Sequence, residues 1–167
     1  MKRPLIITTI ISFLGMACSQ PDNYNELLND LYKNTVPTIQ SSELAAKLKS
    51  DKITVLDTRE IEEYNVSHIS NSKHVGYNNF HLKNLSELDK SDTIVLYCSV
   101  GYRSERIGEK LLKAGYTHVY NLYGGLFQWV NEGQEVVGND NQPTDKIHPY
   151  SDSWGKWLTK GKKVYKP

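Results

Sequence analysis

The chain has 167 residues, enough for one domain of ordinary size with short additions and a real hydrophobic core. Its 20 Lys and Arg against 19 Asp and Glu leave a net charge of +1. No basic stripe runs along the sequence, which leaves nucleic acid without support as a partner.

At the start, Lys2-Arg3 forms a short positive region and Leu5 to Leu14 an apolar one, followed by Gly15-Met16-Ala17-Cys18. An apolar span of about ten residues falls short of the roughly 20 that a transmembrane helix needs, so residues 1–18 read as a cleaved export signal. Cys18 follows a small residue and precedes the polar run Ser19 to Asn23, a pattern that resembles a bacterial lipoprotein signal. That resemblance implies lipidation at Cys18 and a membrane anchored through this N-terminal lipid. It further implies export to a periplasm-facing place in the bacterial cell envelope. One departure is that Leu14 lies four residues before Cys18 where the pattern prefers three, and an ordinary secretory signal is the alternative. Were Cys18 lipidated, Cys98 would have no partner for an internal disulfide.

Residues 19–35 form a polar tether and a helix from Tyr24 to Lys33, with Leu27, Leu28 and Leu31 at helical spacing. Val36 to Ile39 reads as an edge strand, since proline is tolerated there. Ser41-Ser42 are placed to cap a helix from Glu43 to Lys49. Ile53 to Asp57 is a strand apolar enough to be buried on both faces. Glu60 to Tyr64 reads as one helical turn, Lys73 to Gly76 as a short strand, and Leu82, Leu85 and Leu88 as amphipathic turns. Thr93 to Tyr97 is a strand leading into a helix from Ser104 to Ala114, ended by Gly115. Val119 to Leu122 is the last strand, and Gly124-Gly125 turns the chain into a helix carrying Leu126, Phe127, Trp129 and Val130. Alternating strands and helices of this length predict an α/β fold with a five-stranded, mainly parallel central sheet and helices on both faces. Gly138 to Pro143 reads as a polar linker, and residues 138–167 as a C-terminal extension in which Trp154, Trp157 and Leu158 dock a helical turn on the body.

Cys98 stands where the Thr93–Tyr97 strand gives way to the loop Ser99-Val100-Gly101-Tyr102-Arg103 and then to a helix at Ser104. Backbone N–H groups of such a loop and helix start stabilise a thiolate and hold an anion. Carboxyl ends of central strands are also where open α/β sheets place their sites. A small buried hydrophobe at a strand end is the plainer alternative for a free cysteine. Three stretches together resemble the rhodanese domain: Leu56-Asp57-Thr58-Arg59-Glu60 with Glu63-Tyr64 and His68-Ile69, then Cys98 to Ser104, then Asn121 to Leu126 with Trp129. The resemblance covers residues 36–137. Ser67, Asn71 and Ser72 depart from it, standing where the family usually has Gly, Gly and Ala.

The resemblance implies a single rhodanese-like domain that moves sulfane sulfur. The Cys98 thiolate would take sulfur from a donor such as thiosulfate or a persulfide and pass it to a thiol or cyanide acceptor. The course is covalent and ping-pong, with no cofactor and no metal, and the five histidines show no ligand spacing. Ser99, Val100, Gly101, Tyr102, Arg103 and Ser104 would bind the donor and the leaving group through loop amides. Asp57 and Arg59 would brace the loop by hydrogen bonds. Arg106, a cation in a first helical turn, would attract an anion or simply face solvent. For Arg103, anion binding and pairing with a carboxylate are both open, and His68 is expected to close a turn. Cysteine phosphatases and arsenate reductases put five residues between cysteine and arginine. Here there are four, and Tyr97 replaces the histidine that often precedes the phosphatase cysteine. A non-catalytic binding module of the same fold, with the Trp- and Tyr-rich tail as its contact surface, is the other reading.

Overall fold

The structure is a computed structural model and describes residues 23–166. Five strands build the central sheet: β1 (Thr38–Ile39), β2 (Ile53–Asp57), β3 (Lys73–His74), β4 (Thr93–Tyr97) and β5 (His118–Leu122). Their order is β1-β5-β4-β2-β3, with every neighbouring pair parallel. β4 lies at the centre, and its residues alternate between two apolar layers. Ile94 and Leu96 join Leu56, Ile107, Leu111 and Val119 on one side, while Val95 and Tyr97 join Leu28, Leu44, Leu126 and Phe127 on the other. A strand buried on both faces has to be apolar throughout, which is why this stretch reads as an unbroken run rather than an alternation.

Helices cover both layers. α1 (Tyr24–Leu31), α2 (Ser41–Lys47) and α5 (Gly125–Asn131) supply Leu28, Leu44, Leu126 and Phe127 to one layer, and α4 (Tyr102–Lys113) supplies Ile107 and Leu111 to the other. The short α3 (Ile61–Val66) follows β2, and a 3-10 turn at Leu82–Leu85 buries Leu85. Each fully buried Leu, Ile or Phe contributes about 1.5–3 kcal/mol, so these layers fix the helices against the sheet.

Several local expectations change. Ser41 and Ser42 do not cap α2 from outside: Gln40 holds the capping position in extended backbone, and the serines are the first two helical residues. α4 starts at Tyr102, two residues before the predicted Ser104, because Gly101 adopts φ +93° and turns the chain straight into the helix. Asn71, which stands in place of a glycine, takes φ +60°, a conformation that Asn tolerates better than most residues.

The stretch Gly138 to Pro143 is the turn of a hairpin rather than a linker. β6 (Val136–Val137) pairs antiparallel with β7 (Pro143–Thr144), and Gly138 N–H donates to the Gln142 carbonyl. Beyond it, β8 (Lys146–Ile147) runs parallel to β9 (Lys162–Lys163), with α6 (Asp152–Gly155) between them. Ile147 and Leu158 enter the same core layer as Phe127, and Trp157 stacks on Tyr24 with ring centroids 5.7 Å apart. The two additions to the domain therefore meet each other. Among the described residues no helix is long and apolar enough to cross a membrane. The predicted signal and Cys18 lie outside the described residues.

Candidate active site

β4 delivers Cys98 to the carboxyl edge of the sheet, and the residue before it is firmly held. Tyr97 is fully buried, its hydroxyl accepts from Ile69 N–H at 3.1 Å and lies 3.0 Å from Ser72 Oγ, and its carbonyl accepts from Thr58 N–H and Thr58 Oγ. Cys98 itself is buried, and its Sγ accepts from Gly101 N–H at 3.1 Å. Gly101 precedes the first turn of α4, where N–H groups have no intrahelical partner, so the sulfur sits at the positive end of a helix of 12 residues.

The backbone of the loop is tied down from three directions. Leu126 N–H and Phe127 N–H, in the first turn of α5, donate to the carbonyls of Cys98 and Ser99 at 2.8 and 3.0 Å. This approach demands glycine at 125, where a Cβ would stand 2.4 Å from the Cys98 carbonyl oxygen. Tyr32 Oη donates to the Val100 carbonyl at 2.8 Å and accepts from Gly124 N–H at 2.9 Å. Asn121 Nδ2 donates to the Gly101 carbonyl, while Asn121 Oδ1 accepts from Ser104 Oγ at 2.7 Å.

Glu63 of α3 is the centre of the side-chain network. Its carboxylate accepts from Arg103 Nη1 and Nη2 at 2.6 and 2.8 Å and from Ser99 Oγ at 2.8 Å. Burial alone would raise the pKa of Glu63, but the hydrogen bonds and charge of Arg103, with Arg59 and Ser99, reverse that and hold it below the ordinary carboxylate value. Arg103 is buried against its own charge, yet Glu63 and the adjacent Cys98 outweigh this and keep it charged. Of the two roles open to Arg103, pairing with a carboxylate is the one seen.

Other predicted site residues are placed differently from expectation. Asp57 and Arg59 form a wholly buried ion pair at 2.6 Å, and Arg59 Nη2 donates to the Ser67 carbonyl, so their hydrogen bonds hold the turn after α3 and not the Cys98 loop. Bracing of that loop falls to Glu63, Tyr32 and Asn121 instead. Arg106 is engaged by its own helix: it donates to the Tyr102 carbonyl and Glu105 and lies over the Tyr102 ring at 3.4 Å. His68, expected to close a turn, forms an antiparallel backbone bridge with Val137, and its ring lies with Nδ1 3.1 Å from the Tyr64 carbonyl and stacks on the Tyr64 ring at 3.9 Å.

A cleft of about 370 Å³ opens above the sulfur. Cys98, Ser99, Val100, Tyr102 and Arg103 form its base, Leu31, Tyr77, Tyr150 and Trp154 its walls, and Glu60 and Asn78 complete the lining. A buried nucleophile at a helix start beneath such a cleft is arranged for covalent catalysis on a small donor. The rhodanese-like domain model matches residues 40–132, more than half of the chain. The chain belongs to the rhodanese-like domain family.

Its relatives carry several names. A putative sulfur carrier protein of Bacillus subtilis (strain 168) is 32% identical over 100 residues, covering 59% of this chain and 54% of the relative. A tRNA uridine(34) hydroxylase of Buchnera aphidicola (strain Tuc7) is 30% identical over 143 residues, covering 76% of this chain and 44% of the relative. The chain thus spans about half the length of these curated relatives. Among solved structures, the rhodanese-like domain of an Anabaena protein superposes with a TM-score of 0.57 at 28% identity, covering 61% of this chain and 79% of that one.

Residues of this rhodanese-like protein that shape the site without being predicted for it include Tyr32, Glu63, Asn121, Tyr150 and Trp154. Glu63 and Asn121 lie within the stretches that resemble the family, and a carboxylate at 63 is the available signal of a partner for the arginine of the loop. Tyr32, Tyr150 and Trp154 lie outside residues 40–132, and no local pattern ties them to Cys98.

Proposed function

We propose that this protein is a sulfurtransferase that carries sulfane sulfur on Cys98. The observation that carries the reading is the Cys98 Sγ accepting the Gly101 amide at the start of α4, beneath an open cleft. With thiosulfate, the thiolate attacks the outer sulfur, a new S–S bond forms on Cys98, and the old S–S bond breaks with its electron pair leaving as sulfite. With a hydropersulfide, the same attack releases the donor's thiolate. Cyanide or a thiolate then takes the outer sulfur, giving thiocyanate or a new persulfide and restoring the Cys98 thiolate. Helix-start amides favour the anionic sulfur in each state.

The four-residue spacing between Cys98 and Arg103, and the engagement of Arg103 by Glu63, disfavour a phosphatase, which needs a free guanidinium around a tetrahedral oxyanion. Tyr150 and Trp154 of the tail line the cleft over Cys98, which favours a reactive site over a tail that serves only as a contact surface. Export and anchoring of the domain to the bacterial envelope through a lipid on Cys18 belong to this proposal and rest on the sequence of residues 1–18.

The test is intact mass before and after exposure to thiosulfate and to organic persulfides, followed by thiocyanate release on adding cyanide. Wild type is expected to gain one sulfur atom and Cys98→Ser none. Absence of sulfur uptake from every donor would overturn the proposal.

A further inference from the structure

The cleft over Cys98 combines little uncompensated positive charge with aromatic walls. Among the described residues that line it, the charged side chains are Arg103, held by two hydrogen bonds to Glu63 at 2.6 and 2.8 Å, and Glu60. The charge of Arg103 is thus already matched by Glu63, and Glu60 adds a further carboxylate to the lining. A dianionic donor entering here would give up hydration and meet a cation already engaged by a carboxylate. The walls are mainly aromatic and aliphatic: Leu31, Tyr77, Tyr150 and Trp154 line the space above Cys98. Its volume of about 370 Å³ leaves room beyond what thiosulfate fills.

Two of those walls come from the segment after residue 132, outside the family match. Tyr150 is held in an unusual backbone state, φ +66°, with its N–H donating to His148 Nδ1 at 3.0 Å. Its ring lies 5.2 Å from the Arg103 guanidinium, within reach of a cation–π contact. A bulky residue kept at positive φ on the rim of a reactive cleft is the kind of strain that persists where the surroundings impose it.

Building on the sulfurtransferase reading, we infer that Tyr150 and Trp154 make the site selective for organic hydropersulfides whose substituent is apolar or aromatic, in preference to thiosulfate. The donor R–S–SH places its R group against the aromatic walls and its outer sulfur against Cys98. The Cys98 thiolate bonds to the outer sulfur, which keeps its proton, and the donor's S–S bond breaks with its electron pair leaving on R–S⁻. Charge is −1 before and after, and no outside oxidant or reductant takes part.

The experiment uses the full chain with benzyl hydropersulfide and thiosulfate, following sulfur on Cys98 by quenched intact mass. Benzyl hydropersulfide is expected to load Cys98 at least tenfold faster than thiosulfate at equal concentration. Tyr150→Asn removes the ring but keeps a residue that accepts the left-handed backbone, and should lower the ratio of benzyl hydropersulfide loading to thiosulfate loading about tenfold. Tyr150→Phe keeps the wall and should preserve the preference, which separates a selective wall from a merely structural residue. Equal loading by the two donors, or equal losses in Tyr150→Asn, would sink the selectivity while leaving sulfur transfer standing. No loading by either donor would overturn both.

Discussion

The side chain that most shapes the chemistry here is Glu63, because one carboxylate holds both Arg103 and Ser99. Replacing it by glutamine leaves a largely buried guanidinium without a counter-charge, at a cost of about 2–4 kcal/mol, measurable as a lowered denaturation midpoint. The same residue sets an acid limit. Its folded-state pKa is lowered, so on acidification the unfolded chain binds the proton first. The stabilisation is fully present above the ordinary carboxylate value of 4.5 and is lost as pH falls through the lowered folded value. Stability curves against pH should therefore steepen on the acid side in wild type, and that component should be missing in Glu63→Gln.

At the scale of elements, the start of α5 and the end of α1 close on one loop. Tyr32 joins them, since its hydroxyl serves the Val100 carbonyl and the Gly124 amide together. Tyr32→Phe removes both bonds in a buried setting and should cost about 1–3 kcal/mol in stability. Because the carbonyl left behind belongs to the Cys98 loop, sulfur uptake should also slow, a comparison made by measuring unfolding and loading rates on the same preparations. The strands were the legible part of this fold: Ile53–Asp57 and Thr93–Tyr97 are bounded as their apolar runs predict. Placement of Cys98 at the end of a central strand was also readable, since alternation of strands and helices implies it. Glu63 and Tyr32 were not legible as partners of the loop, because they meet it across 36 and 68 residues of sequence, and only the folded sheet fixes such distances. Gly138 to Pro143 misled for a related reason: polar turn residues look alike whether they join two domains or two paired strands.

Across the whole molecule, the segments flanking the family match are part of the core rather than appendages. Ile147 is fully buried in the layer that holds Leu126 and Phe127. Ile147→Ala should cost about 2–5 kcal/mol, as for any buried aliphatic, and the loss should appear in a single cooperative transition monitored by both tryptophan fluorescence and far-UV circular dichroism. A tail unfolding separately, ahead of the body, would contradict this. The cleft repeats that union at the surface, for Leu31 comes from α1, Cys98 from β4's edge, and Trp154 from α6. Any donor lodged there touches three parts of the chain that are far apart in sequence, and so acts as a clasp. Its affinity adds to the cohesion of the whole, by about 2.7 kcal/mol at a hundred times its dissociation constant. Loss of the bound molecule would withdraw that contribution from the contacts between tail and body.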